Sequence, residues 1–396
     1  MSAARFATVA LALVAIACSE EGRPAGINMS VPGLDAATGP DGPYLEGGFQ
    51  DGPPPADAEG FCGNQFFEVT PEPPNLYFVL DRSGSMLDRA VPTSPVTKYA
   101  AVRGATVEMV VALGHRVNVG AAVFPGSPSA DECSSGKEVF ATQPGDAPGS
   151  FDGGFGPVSA TFSAATNVQP KGGTPIAATL ESLRPILANL EGSTAVVLAT
   201  DGGPNCSTEH ECGPEDCIWN IEGAKLNEEW CTPTYNCCDT SIYYGPGAKG
   251  CLDGSATVAA VAALRDAGIR TYVVGIPGSE FYVSLLDQLA TVGGSARSGE
   301  TKYYRVDDVS NLGATLATIG EKALITCEFV LEAKPPDADF VNVYFDHQSV
   351  PYDETDGWTW TSDTTLSLHG EACEKLKSGD VAQVQVVAGC PTQQPR

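Results

Sequence analysis

Positive charge and imidazole are scarce in this 396-residue chain: 22 Lys+Arg stand against 49 Asp+Glu, a formal net charge of −27, with four His. A surface that acidic repels phosphate backbones and anionic headgroups, which excludes nucleic acid and electrostatic membrane binding as expectations. So few imidazoles leave little general-base material, and neither H-E-x-x-H nor G-x-S-x-G occurs, so an enzyme is not expected. No G-x-x-x-x-G-K-[ST] is present and no G-x-G-x-x-G follows the first strand-like run, which argues against nucleotides. Beyond the first 17 residues no stretch is long and apolar enough to span a bilayer. There is also no C-x-x-C pair, and His210 is the only imidazole near the cysteine cluster described below, so zinc is a weak reading.

Cysteine, glycine and proline are plentiful instead, at 13, 44 and 30 residues, and hydrophobic residues at 42% suffice for a real core. At roughly 150 residues per domain, the length suggests two or three units. So many cysteines point to an oxidising compartment, where they pair. An odd number leaves one to explain. Arg5 followed by the apolar run Phe6 to Ala17 reads as an export signal, residues 1–17. It ends Ala15-Ile16-Ala17-Cys18, similar to a bacterial lipobox with Ala15 where Leu is usual. Cys18 is then the lipidated residue, and the twelve others are free to pair. The plain alternative is an ordinary secretory signal cleaved near this point. Either way the chain is expected to be exported. With the lipid it is anchored in the cell envelope, on the periplasmic or surface face of the outer membrane, and touches membrane only through that anchor.

Residues 18–60 are Gly, Pro, Asp and Ala without helical or strand period, and read as a tether. Strand and helix patterns then alternate. Leu76 to Leu80 is a continuous apolar run, as in a strand covered on both faces. Tyr99, Val102, Thr106, Met109, Val110 and Leu113 share a helical face. Val117 to Val123 alternates as a strand. Ile176, Leu180, Leu183, Leu187 and Leu190 repeat at helical spacing across Pro185, which must kink or interrupt the helix. Ala195 to Ala199 is a buried strand, Val258 to Leu264 a helix that Gly268 can cap, and Thr271 to Ile276 a strand. Helices around Leu285 to Leu289 and Leu312 to Ile319 follow. The pattern predicts an α/β fold, a doubly wound, mostly parallel sheet whose ligands sit beyond the carboxyl ends of the strands.

What stands at those ends is chemically specific. Asp81-Arg82-Ser83-Gly84-Ser85 follows the first strand, Thr174 lies in Lys171-Gly172-Gly173-Thr174-Pro175 before a helix, and Asp201 opens Asp201-Gly202-Gly203 after the Ala195–Ala199 strand. Each alone reads as a helix cap or an acidic turn. Together, over residues 61–326, they resemble the von Willebrand factor type A (vWA) domain, whose metal-ion-dependent adhesion site joins D-x-S-x-S, a threonine and an aspartate from three loops. The resemblance implies Ser83, Ser85 and Thr174 as direct ligands, with Asp81 and Asp201 balancing charge and orienting water. Such hard oxygen donors suit Mg²⁺ first, with Ca²⁺ or Mn²⁺ as alternatives. It also implies an open position for an acidic side chain of a protein partner. The proline-rich stretch Leu87 to Val96 is longer than usual there and bears on partner choice.

Residues 205–255 interrupt the alternation with Cys206, Cys212, Cys217, Cys231, Cys237, Cys238 and Cys251. In an exported chain these read as disulfides, and an odd set of seven needs a partner outside, for which Cys133 is the candidate. The insertion rises beside the metal face. Its aromatics (Trp219, Trp230, Tyr235, Tyr243 and Tyr244) either anchor a partner or fill the insertion's own core. Residues 327–396 turn to period two and predict a small antiparallel β domain, with a hairpin turn at Asp346 to Ser349. His347 and His369 read as surface or turn residues. Cys373 with Cys390 is expected to close this domain, and Cys62 with Cys327 to tie the ends of the vWA-like unit. The functional expectation is a divalent-cation-dependent adhesion or scaffold module of the bacterial envelope. The alternatives are an accessory subunit of an envelope complex, a purely structural metal site, or a hydrolase.

Overall fold

A computed structural model describes residues 63–395, apart from positions 64, 68, 92–94, 150–153, 208–210, 243, 379–380 and 382. The signal, Cys18, the tether, Cys62, His210 and Tyr243 lie outside the described residues. Two short strands come first, Gln65–Phe67 (β1) and Val69–Pro71 (β2). Neither joins the central sheet. That sheet begins with Asn75–Asp81 (β3), buried at every position as a continuous apolar run requires. Lys98–Leu113 (α1), Asn118–Phe124 (β4), Lys137–Pro144 (β5), Pro157–Ala165 (α2), Ile176–Leu187 (α3) and Thr194–Thr200 (β6) follow. Pro185 falls in the last turn of α3, which ends two residues later at Leu187. The insertion supplies Ile218–Ile221 (α4), Lys225–Leu226 (β7) and Glu229–Trp230 (β8). Gly254–Asp266 (α5), Arg270–Gly275 (β9), Val283–Val292 (α6), Tyr304–Arg305 (β10) and Leu312–Leu324 (α7) complete this part. Gly268, at φ +79°, follows α5 in the left-handed conformation expected of a helix stop.

The six strands order as β10-β9-β6-β3-β4-β5. All pairs are parallel except β4 with β5, an edge strand the sequence pattern did not announce. Alternate residues of β3 enter two separate cores. Leu76, Phe78 and Leu80 pack with α1, α2 and α7, while Tyr77 and Val79 pack with α3, α5 and α6. From β3 the chain first builds outward through β4 and β5, then returns to lay β6, β9 and β10 on the other side. The order therefore reverses between β3 and β6, and ligands of open α/β sheets sit beyond the carboxyl ends of the strands at such a reversal.

The remaining strands are Glu328–Leu331 (β11), Val341–Phe345 (β12), Gln348–Val350 (β13), Trp358–Trp360 (β14), Thr365–Leu368 (β15) and Val384–Ala388 (β16), with the helix Gly370–Ser378 (α8) before the last. They form two antiparallel sheets, β1-β16-β12-β13 and β14-β15-β11-β2, around a core that includes fully buried Trp358. The hairpin turn is Asp346-His347, both at positive φ, between Phe345 and Gln348. Two expectations are corrected here. Residues 65–71, read as the start of the α/β unit, supply an edge strand to each of these sheets, and Phe67 and Val69 enter their core. Neither Cys62–Cys327 nor Cys373–Cys390 forms, because Cys327 bonds Cys373, with Cα atoms 5.5 Å apart. The cause is α8: no period-two pattern announces it, and it carries Cys373 onto the start of β11. Cys390 is disulfide-bonded elsewhere.

Candidate functional site

Asp81 ends β3 with no exposed surface. Its Oδ1 accepts the Ser83 N–H at 2.7 Å, a bond that curls the chain into the turn carrying the two serines. Its Oδ2 accepts the Thr200 hydroxyl at 2.6 Å from the neighbouring strand β6. Ser83 Oγ and Ser85 Oγ lie 3.1 Å apart, and Ser85 Oγ donates to Asp201 Oδ1 at 2.8 Å. The Lys98 ammonium, on the first residue of α1, donates to the other oxygen, Asp201 Oδ2, at 2.8 Å. Every carboxylate oxygen of the two acids thus has a donor. Asp81, Ser83, Ser85 and Asp201 form one connected set at the strand-order reversal.

Thr174 reaches the same side through its loop. The Lys171 N–H donates to the Arg82 carbonyl at 2.7 Å and the Gly84 N–H to the Gly172 carbonyl at 2.9 Å, which docks the Thr174 loop on the serine turn. Gly172 sits at φ +96°, and a Cβ there would meet the Glu132 carbonyl oxygen at 2.7 Å, so glycine is required. Thr174 is buried. Its N–H donates to Asn205 Oδ1 at 2.7 Å and its carbonyl accepts the Asn205 N–H at 3.0 Å. Beside this clamp the Cys133–Cys206 disulfide ties the segment after β4 to the base of the insertion, the link expected for the seventh cysteine.

Within the insertion Cys212–Cys251, Cys217–Cys238 and Cys231–Cys237 are bonded. Cys212, Cys238 and Cys251 bring their sulfurs within 4.8 Å of one another, but each is in a disulfide, and a disulfide sulfur is not the thiolate that zinc requires. The aromatics divide by burial. Trp219 and Tyr235 pack on the cystine core, whereas Trp230 and Tyr244 are 59% and 73% exposed. The Lys225 ammonium lies over the Trp230 ring, 4.4 Å from its centroid.

Electrostatically the site is short of cations. Burial first, and then the Asp201 charge, push the Asp81 carboxyl up to about 7 against its bonds from Thr200 and Ser83. Burial also raises Asp201, opposed by Lys98. Glu222, from the insertion, is raised by burial and more weakly by Asp201, and accepts the Tyr282 hydroxyl at 2.8 Å. Hydroxyls and carboxylates in a buried, acid-rich setting are a hard donor set and fit a divalent ion of the magnesium or calcium type. Sequence reasoning did not find Lys98, Asn205 or Glu222. Only Lys98 left a signal: a lysine in a first helical turn opposes the helix dipole and needs another reason to be there.

No protein-family model matches the sequence, and no curated protein matches it. Among solved structures, the chain is similar to the PilB minor pilin from Streptococcus sanguinis at 19% identity, over 64% of this chain and 61% of that one, with a TM-score of 0.41. It is similar to the pilus adhesin SpaC from Lactobacillus rhamnosus GG at 17% identity, over 80% and 39% of the two chains, with a TM-score of 0.42. A von Willebrand factor type A protein from Catenulispora acidiphila matches at 11% identity over 81% and 59%, with a TM-score of 0.38. The chain therefore spans about two fifths to three fifths of these proteins. At such identities and scores the likenesses establish neither family nor function. Among the described residues no helix is long and apolar enough to cross a membrane.

Proposed function

We propose that residues 75–324 form a doubly wound unit of the vWA type that binds a protein partner through one divalent cation, Mg²⁺ in first place. The observation that carries this reading is the connected set of Asp81, Ser83, Ser85 and Asp201 at the reversal point, hydrogen-bonded across 116 residues of sequence by Ser85 and Asp201. Ser83, Ser85 and Thr174 would hold the ion. Asp81 and Asp201 would balance its charge, and a position left open would accept a Glu or Asp of the partner. A bound ion supplies a local positive point on a surface that otherwise repels acidic groups. The chain's own residues do the rest: Thr200 and the Ser83 amide fix the Asp81 carboxylate, and Asn205 fixes the backbone of Thr174. The protein is read as an exported adhesion or scaffold module of the cell envelope rather than an enzyme, lipid-anchored through Cys18.

Isothermal titration with Mg²⁺, Ca²⁺ and Mn²⁺ tests the site: saturable binding that Asp81→Ala abolishes is expected, and equal binding by the variant sinks it. A pull-down with and without EDTA tests the bridge, since partners recovered equally in chelator are not held through the ion.

A further inference from the structure

Lys98 is the cation that contacts Asp201, one of the two site acids, and its placement is built rather than incidental. It is 9% exposed, in a chain whose surface is otherwise available to lysines. Gly278, after β9, closes over it. A Cβ there would stand 3.2 Å from the Lys98 ammonium and 2.6 Å from the Asp201 carbonyl oxygen, and the residue's φ of +114° also demands glycine. Under this cover the ammonium holds Asp201 Oδ2 at 2.8 Å. A second acceptor stands nearby: Asp88 Oδ2 is 3.8 Å away, with its side chain 72% exposed.

These contacts place a fixed unit charge on the acid that a divalent ion also needs. We propose that Lys98 is a resident counter-cation that neutralises Asp201 in the metal-free protein and shifts toward Asp88 when the ion binds. It thereby lowers the metal affinity of the site and stabilises its empty form. This rests on the divalent-cation reading above. Without the lysine, two buried carboxylates face each other uncompensated, a costly arrangement. With it, the empty site is neutral at Asp201, and an arriving ion must work against a like charge a few ångströms away. Binding is then held to partner-rich or cation-rich conditions instead of being permanent.

Titration of Mg²⁺ into the full mature chain, with thermal melts in EDTA and in Mg²⁺, tests the exchange. Lys98→Met is expected to bind Mg²⁺ about tenfold tighter or more, as removal of a like charge beside a divalent ion requires even near water-like dielectric. It should also melt lower than wild type in EDTA, so that the gain in Tm on adding Mg²⁺ is larger. Lys98→Arg keeps the charge and should show no gain in affinity. Asp88→Asn removes the second acceptor and should weaken Mg²⁺ binding. If Lys98→Met does not fold in EDTA, Asp88→Asn decides, and unchanged Mg²⁺ affinity there overturns the exchange. Wild-type binding with no gain in folded Lys98→Met overturns the role of Lys98 alone. Absence of binding in both overturns the divalent-cation reading and this proposal with it.

Discussion

The Thr200 hydroxyl donates to Asp81 Oδ2 at 2.6 Å, and this bond joins the carboxyl ends of β3 and β6 where the strand order reverses. Parallel pairing sets Leu80 opposite Ala199, so the next residue of each strand, Asp81 and Thr200, emerges side by side. Asp201 follows immediately. The two acids are thus brought together by strand register, before any ion is present, and their mutual repulsion is built into the sheet.

That repulsion predicts an inverted pH dependence in chelator. The Asp81 carboxyl, raised to about 7 in the folded protein from 3.8, binds its proton more tightly folded than unfolded. Its contribution is therefore fully present below about pH 4 and lost as pH rises through about 7. In EDTA, urea unfolding should give a stability that falls between pH 5 and pH 8. Asp81→Asn should flatten that fall and match or exceed wild type at pH 8. A variant with the same slope as wild type would show that Asp81 does not carry the effect. Mg²⁺ at pH 8 should restore stability to wild type only.

The Cys133–Cys206 bridge predicts a local effect as well as a global one. Closing a loop of 73 residues, it contributes about 2–5 kcal/mol in typical native disulfides. Gly173 packs on it, since a Cβ there would stand 2.6 Å from Cys206 Sγ and 2.9 Å from Asn205 Oδ1. Cys133→Ser with Cys206→Ser should lower Tm, speed amide exchange at residues 172–175 and weaken Mg²⁺ binding several-fold. Lower Tm with unchanged exchange at the Thr174 loop would mean the bridge supports the insertion alone.

Much of this was legible from residue type and order, and the illegible remainder has identifiable causes. Leu76 to Leu80 and Ala195 to Ala199 are long apolar runs, and a run of that kind has few ways to be buried. Asp81, Ser83, Ser85 and Asp201 follow such runs directly, so their convergence follows once the strands are parallel neighbours. Cys133 was reachable because it follows a strand of the same sheet and must lie at the same end. Lys98, Asn205 and Glu222 act across the tertiary structure, and nothing in their local sequence states the partner. β1 and β2 are three residues each, too short to show a period. In α8, Gly370-Glu371-Ala372-Cys373 offers too little apolar surface to mark a helix, so the sequence does not show that Cys373 lies beside Cys327.

Glu328 predicts a second pH effect, separate from that of Asp81. It opens β11, and its carbonyl accepts the Glu72 N–H at 3.2 Å, so the two acidic side chains meet where the α/β unit joins the β sheets. Burial raises the Glu328 carboxyl above its ordinary 4.5, with the Glu72 charge and a hydrogen bond shared with Glu72 adding to the rise and a bond from the Ser193 N–H opposing it. A raised acid again favours the folded state below its unfolded value, and that contribution is lost as pH climbs through the folded one. Glu328→Gln keeps the shape and removes the charge. It should leave Tm near wild type at pH 4 and raise it at pH 8, with the difference insensitive to Mg²⁺ because Asp81 and Asp201 are untouched. Melts at the two pH values, each in EDTA and in Mg²⁺, separate the effects. A gain of equal size at pH 4 would mean that packing, rather than the charge between Glu72 and Glu328, limits stability at this junction.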